Sequence, residues 1–118
     1  MKIEKDWKLA QEMKEENPAK AFGLMVRAAI FSSIHTVREL GQELHFKRGI
    51  IDSHLAKGRL PVEYFDQIMG FLSEIRREGG EGAWFDQAKY DQIEALGNRW
   101  VELHEKNSFA ASAQGVGM

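Results

Sequence analysis

Apolar residues recur at steps of three and four along almost the whole chain, and the only two prolines, Pro18 and Pro61, stand where such runs begin. That spacing puts apolar side chains on one face of a helix, whereas a half-buried strand would alternate in steps of two. No strand-like alternation bounded by hairpin turns occurs, and no internal repeat is visible. Proline at the first helical position loses no hydrogen bond, because that N–H has no partner within the helix. The expected fold is therefore all-α, a compact domain of five to six helices over residues 1–106, with a flexible Ala/Ser/Gly-rich tail at 107–118.

Ile3, Trp7, Ala10 and Met13 mark a short amphipathic helix within residues 2–16. Asn17-Pro18 then reads as an N-cap followed by proline. Ala19–Ile34 is apolar nearly all round, as a central helix would be. Thr36 with Glu39 three residues on is a capping-box pattern, opening a helix over Val37–Leu44. A second short helix is expected over Lys47–Lys57, stopped by Gly58. Pro61 opens the next, with Phe65, Ile68, Leu72 and Ile75 as its stripe. Gly79, Gly80 and Gly82 mark a loop, and a last helix runs about 86–106 with Ile93, Leu96, Trp100 and Leu103 in register.

The chain contains no cysteine, which excludes a disulfide scaffold and thiolate zinc sites. The N-terminus has no apolar core of signal-peptide length, and the Ala19–Ile34 run falls short of the ~20 residues that span a bilayer. A cytoplasmic protein without membrane association is expected. The net charge of −2 conceals segregation. Residues 17–34 are net +2, residues 44–60 net +3 and residues 78–106 net −4.

No catalytic or cofactor pattern stands out. His35, His45, His54 and His104 form no His-x-x-x-His pair, so they read as surface or boundary residues and not as metal ligands. Ser32 and Ser33 before His35 lack the strained turn of a nucleophile and read as helix-end caps. Trp7, Trp84 and Trp100 read as core at helical spacing, in preference to a base-stacking platform. The chain is expected not to be an enzyme and to need no cofactor.

The stretch Thr36–Gly58 carries the functional argument. It is a short helix, a turn at His45-Phe46-Lys47 and a second short helix. Two helices that cross at close range need a small residue where they touch, and Gly41 is at that place. Leu40, Leu44 and Ile51 turn to the core. This pattern resembles the Cro/repressor-type helix-turn-helix regulators of phage and bacteria, over about Phe22 to Leu72. The resemblance includes the apolar helix before the motif and Gly58-Arg59-Leu60-Pro61 after it. His45 stands where the family's turn usually has glycine, and His54 or Leu55 takes its second inward position.

The resemblance implies a sequence-specific DNA-binding transcriptional regulator with helix 47–57 in the major groove. It matches Lys47, Arg48, Asp52 and Ser53 to groove-facing positions, and Lys57 and Arg59 to backbone contacts. Arg48 and Ser53 are the expected base readers. Such proteins often bind double-stranded DNA as homodimers, and Ile93, Leu96, Trp100 and Leu103 are the expected dimer interface. The other reading is a helix-turn-helix scaffold that has lost DNA binding and serves as an antitoxin, an antirepressor or a phage-encoded inhibitor.

Overall fold

The computed structural model describes residues 2–47 and 49–116, with side chains described as far as Lys106. The described residues form six α-helices and no strand: α1 (Lys2–Met13), α2 (Pro18–Phe31), α3 (Val37–Glu43), α4 (Ile50–Lys57), α5 (Phe65–Gly79) and α6 (Gln87–Val116). A single 3-10 turn, Val62–Tyr64, lies between α4 and α5. No described helix is long and apolar enough to cross a membrane.

Local chemistry sets the boundaries. Asn17 accepts from the Lys20 N–H at 3.2 Å, and Pro18 occupies the first turn of α2. Thr36 accepts from the Glu39 N–H at 3.2 Å, which caps α3. Asp86 does the same for α6, accepting from the Lys89 N–H at 3.0 Å. Each cap satisfies a helix donor that has no partner further down the chain. At the end of α2, the Ser32 and Ser33 hydroxyls donate to the carbonyls of Ala29 and Ile30 at 2.7 Å. Both serines are thus helix-end residues.

Helix α2 is the hub. Ala21, Phe22, Leu24, Met25, Val26, Ala28, Ala29 and Ile30 are all buried, and α2 touches each of the other five helices. An all-round apolar sequence has that consequence: no face is left for water. The other helices contribute stripes to this core: Leu40 from α3, Ile51 and Leu55 from α4, Ile68, Leu72 and Ile75 from α5, and Ile93, Leu96 and Trp100 from α6. Trp100 stacks on Phe22, with ring centroids 4.9 Å apart and planes at 30°.

Several expected boundaries move. The first helix ends at Met13, before Asn17 takes up its capping role. Pro61 stands before a 3-10 turn, and α5 starts four residues later, at Phe65. The second helix of the motif starts at Ile50 and not at Lys47, because Gly49 adopts φ 85° and cannot belong to a right-handed helix. The last helix continues to Val116, past the Leu103 end of its apolar stripe.

Candidate nucleic-acid interface

The pairing of α3 with α4 rests on two backbone features. Gly41 faces Ile51 so closely that a Cβ on it would lie 2.7 Å from Ile51 Cγ2. Only a residue without a side chain lets the helices approach this far. Between them the chain reverses at His45, the single non-glycine residue with positive φ among those described, at 61°. This is the left-handed region, where a side chain is strained and histidine is among the more tolerant types. The turn closes through the Phe46 N–H, which donates to the Gly41 carbonyl at 2.8 Å. Phe46 itself packs against His54 and Tyr64, at 5.6 and 5.1 Å between centroids.

The far end of α4 is fixed as firmly. Gly58 takes φ 67°, and the Arg59 N–H donates back to the His54 carbonyl at 2.9 Å. This left-handed stop satisfies carbonyls that would otherwise be open. Gly58 also lies against the backbone of Lys20, so the end of α4 abuts the first turn of α2.

With Ile51 and Leu55 inward, Ile50, Ser53 and Lys57 share the exposed side of α4. Lys47 and Gly49 are exposed before it and Arg59 after it. Arg48 lies outside the described residues. Leu55 fills the inward position near the end of the helix, and His54 is half-buried beside Phe46.

Asp52, half exposed beside Ser53, leans toward α2. Its carboxylate meets Arg27 of α2 at 3.5 Å. Arg27 in turn forms a two-pronged bond with Asp6 of α1, at 2.8 and 2.9 Å, and Asp6 is only 4% exposed. Donating to the Asp6 carboxylate pushes the Arg27 pKa up against the opposing effect of burial, so this guanidinium stays charged. The only acid of the 44–60 stretch is therefore engaged with a cation of the core.

Three cations or donors absent from the expected set join the surface. Arg38 and Gln42 of α3 line a small groove of about 90 Å³ with Lys47, Gly49 and Ile51. Lys20 stands where α4 ends against α2. The net +2 of residues 17–34 was the available signal for Lys20. Arg38 carried none, since its turn of helix is balanced by Glu39.

The adjoining face of α3 is acidic. Glu39 and Glu43 face Glu74 and Glu78 of α5 across a groove of about 660 Å³ that also holds His35, His45 and Phe71. His35 bridges it, with Nδ1 2.6 Å from Glu39 and Nε2 2.6 Å from Glu78. Those two hydrogen bonds raise the histidine's pKa above its ordinary value, the one to Glu78 contributing most. The i,i+4 spacing of His35 and Glu39 was legible in the sequence; the partner 43 residues away was not. Among the described residues no group of three or more His, Asp or Glu side chains is disposed to hold a metal ion.

Of the expected dimer stripe, Ile93, Leu96 and Trp100 are buried within the chain's own core, and Leu103 is 37% exposed. Helix α6 packs on α2 and α5 because that stripe fits there. Comparison with protein-family models, curated proteins and solved structures gave no significant match for this chain.

Proposed function

We propose that the chain is a DNA-binding transcriptional regulator of phage or bacterial type, in which α3, the His45 turn and α4 form a helix-turn-helix. Helix α4 enters the major groove, Arg48 and Ser53 read base edges, and Lys47, Lys57 and Arg59 hold phosphates. The observation that carries this reading is the α3–α4 junction. A side-chain-free contact of Gly41 on Ile51 and a left-handed turn residue at His45 meet the two demands that a tight helix pair makes. The charge distribution also favours it. Lys47, Lys57 and Arg59 are all exposed, and Asp52, the only acid between residues 44 and 60, is partly neutralised by Arg27.

The proposal includes a cytoplasmic homodimer on two half-sites about 34 Å apart. Leu103 is the member of the α6 stripe left open to a second copy. The test is a fluorescence titration of the protein against genomic and random duplex fragments over a range of salt. Lys57→Ala and Arg59→Ala should weaken binding to every sequence and each reduce the salt slope by about 1. Arg48→Ala should relax sequence preference. Binding that is undetectable at micromolar protein, or independent of salt, would overturn the proposal.

One observation favours the alternative of a protein-interaction module. Ile34, between α2 and α3, is 89% exposed, at the rim of an apolar groove formed by Ile75, Ala83, Trp84 and Phe85. A large aliphatic side chain standing free beside such a groove is the kind of feature a protein partner covers. Under that reading Ile34→Ser abolishes partner binding and leaves any DNA affinity unchanged.

A further inference from the structure

The His35 bridge has a property that its neighbours do not share. A neutral imidazole carries one N–H and one lone pair, whereas an imidazolium carries two N–H donors. Both ring nitrogens of His35 stand 2.6 Å from a carboxylate oxygen. Carboxylates accept only, so the arrangement is complete in the charged form alone. In either neutral tautomer one glutamate would face a lone pair at the same distance.

We propose that His35 is a proton-operated latch between the start of α3 and the end of α5. As imidazolium it ties Glu39, in the first turn of α3, to Glu78, in the last turn of α5. On loss of the proton one carboxylate is released, and the two helices lose their polar connection across the groove.

Four carboxylates line the groove beside the ring and favour its charged form: Glu39 and Glu43 from α3, and Glu74 and Glu78 from α5. His45 of the turn also lines the groove and adds no negative charge. Glu74 is in part answered by Arg77, which bonds it along α5. The residue lies between the C-terminus of α2 and the N-terminus of α3, whose partial charges oppose one another there, so the carboxylates decide its protonation. Glu78 lies at the C-terminal end of α5, an unfavourable place for an anion, so a cation on it is doubly useful there. The Phe71 ring, 5.7 Å away and steeply inclined, closes one face of the imidazole. The His35 backbone N–H donates to Ser33 Oγ at 3.0 Å and does not titrate, so it is no part of the switch.

The sign follows from linkage. A histidine held by carboxylates binds its proton more tightly folded than unfolded. Its contribution is complete below about pH 6.5, the unfolded value, and is lost as pH rises through the higher folded midpoint. Mild acidity therefore tightens the α3–α5 junction, and alkalinity loosens it.

The test is an NMR titration of the His35 ring in the full chain, with amide exchange measured on the same samples. The expected midpoint lies above about 6.5 and falls toward it in Glu78→Gln and in Glu39→Gln. The Leu40 amide, which donates to the Thr36 carbonyl in the first turn of α3, is the structural reporter. Corrected for intrinsic exchange, its protection should drop about threefold or more across the His35 midpoint, and should not vary with pH in His35→Gln. A wild-type midpoint at or below about 6.5 would overturn the latch. So would a raised midpoint that neither glutamine variant lowers, or unchanged pH dependence at Leu40 in His35→Gln. Should His35→Gln not fold, Glu78→Gln alone decides, because it keeps the imidazole and removes only the α5 arm.

Discussion

Replacing Gly23 by alanine tests whether α4 is held in place by its backbone contact with α2. A Cβ at Gly23 would lie 2.0 Å from the Leu55 carbonyl oxygen and 3.0 Å from Leu55 Cα. Carbon and oxygen come no closer than about 3.3 Å in favourable contacts, so α4 has to retreat by roughly 1 Å. The obstruction is backbone, and no rotamer change relieves it. A gap of that size forfeits a quarter to a half of the dispersion well for the atoms facing it, and Leu55 and Ile51 are both buried at this junction. Overpacking of this kind costs about 1–3 kcal/mol, and the rigidity of the blocking atom places Gly23 at the upper end. Alanine returns at most about 1 kcal/mol through helix propensity. The expected net loss is about 2 kcal/mol, a fall in Tm of about 8 °C for a chain of this length. Scanning calorimetry with urea denaturation measures it. Gly70→Ala is the internal control. Gly70 is also inside a helix but has nothing within 4 Å, so its alanine variant should gain about 0.5–1 kcal/mol. A Gly23→Ala protein as stable as the parent would refute the close-contact account of the α2–α4 junction.

Asp6→Asn removes the buried carboxylate from Arg27 and should cost about 2–4 kcal/mol by urea denaturation, somewhat eased because Asp52 remains nearby. The double change Asp6→Leu with Arg27→Met should recover most of that loss, since no buried charge is left unpaired and Asp52, which loses its partner, is half exposed to water. His45→Gly relieves the left-handed strain at φ 61° and should raise stability by about 0.5 kcal/mol after the entropy of the unfolded glycine is counted. A loss above about 1 kcal/mol would show that the histidine side chain supports the turn. Asp52→Asn should change stability by less than about 1 kcal/mol, because its side chain is 51% exposed. If α4 binds DNA, the same variant should bind duplexes of any sequence more tightly, as one repulsive charge is gone.

The fold was legible in the sequence wherever periodicity and capping spoke together. Thr36 and Glu39 announced α3, Asn17-Pro18 announced α2, and the all-round apolar character of α2 announced its central position. Boundaries were misplaced where one glycine has two uses. Gly49 reads as a weak helix residue, but at φ 85° it closes the turn and sets the start of α4. The site was legible only in part, because helical spacing tells which residues share a face and not what stands opposite. Asp52 shares an end of the sequence motif with Ser53, yet its partner Arg27 lies on a helix already read as core. Ile93, Leu96 and Trp100 form a stripe that either a second copy or α2 would satisfy, and the spacing alone favours neither. Glu78 belongs to a loop-flanking acidic run whose contact with His35 depends on how α5 crosses α3.

Charge placement bears most directly on whether a chain of net −2 can hold a polyanion. Helix α3 separates the two signs. Arg38 on one face joins Lys47, Glu39 and Glu43 on the adjoining face join Glu74 and Glu78, and Gln42 lies on the ridge between the two grooves. The Debye length at physiological ionic strength is about 8 Å, so at that salt the glutamates act only on the nearest part of anything docked on the basic face. At 0.01 M salt the screening length grows to about 30 Å, and both sides act on the same ligand. Repulsion from the glutamates then opposes the attraction that low salt would otherwise strengthen. If the chain binds DNA as proposed, its affinity should accordingly rise less steeply at the lowest salt than the cation count alone implies. Removing acidic charge, with Glu43→Gln and Glu74→Gln together, should straighten that dependence and change the affinity less at physiological salt than at about 0.01 M.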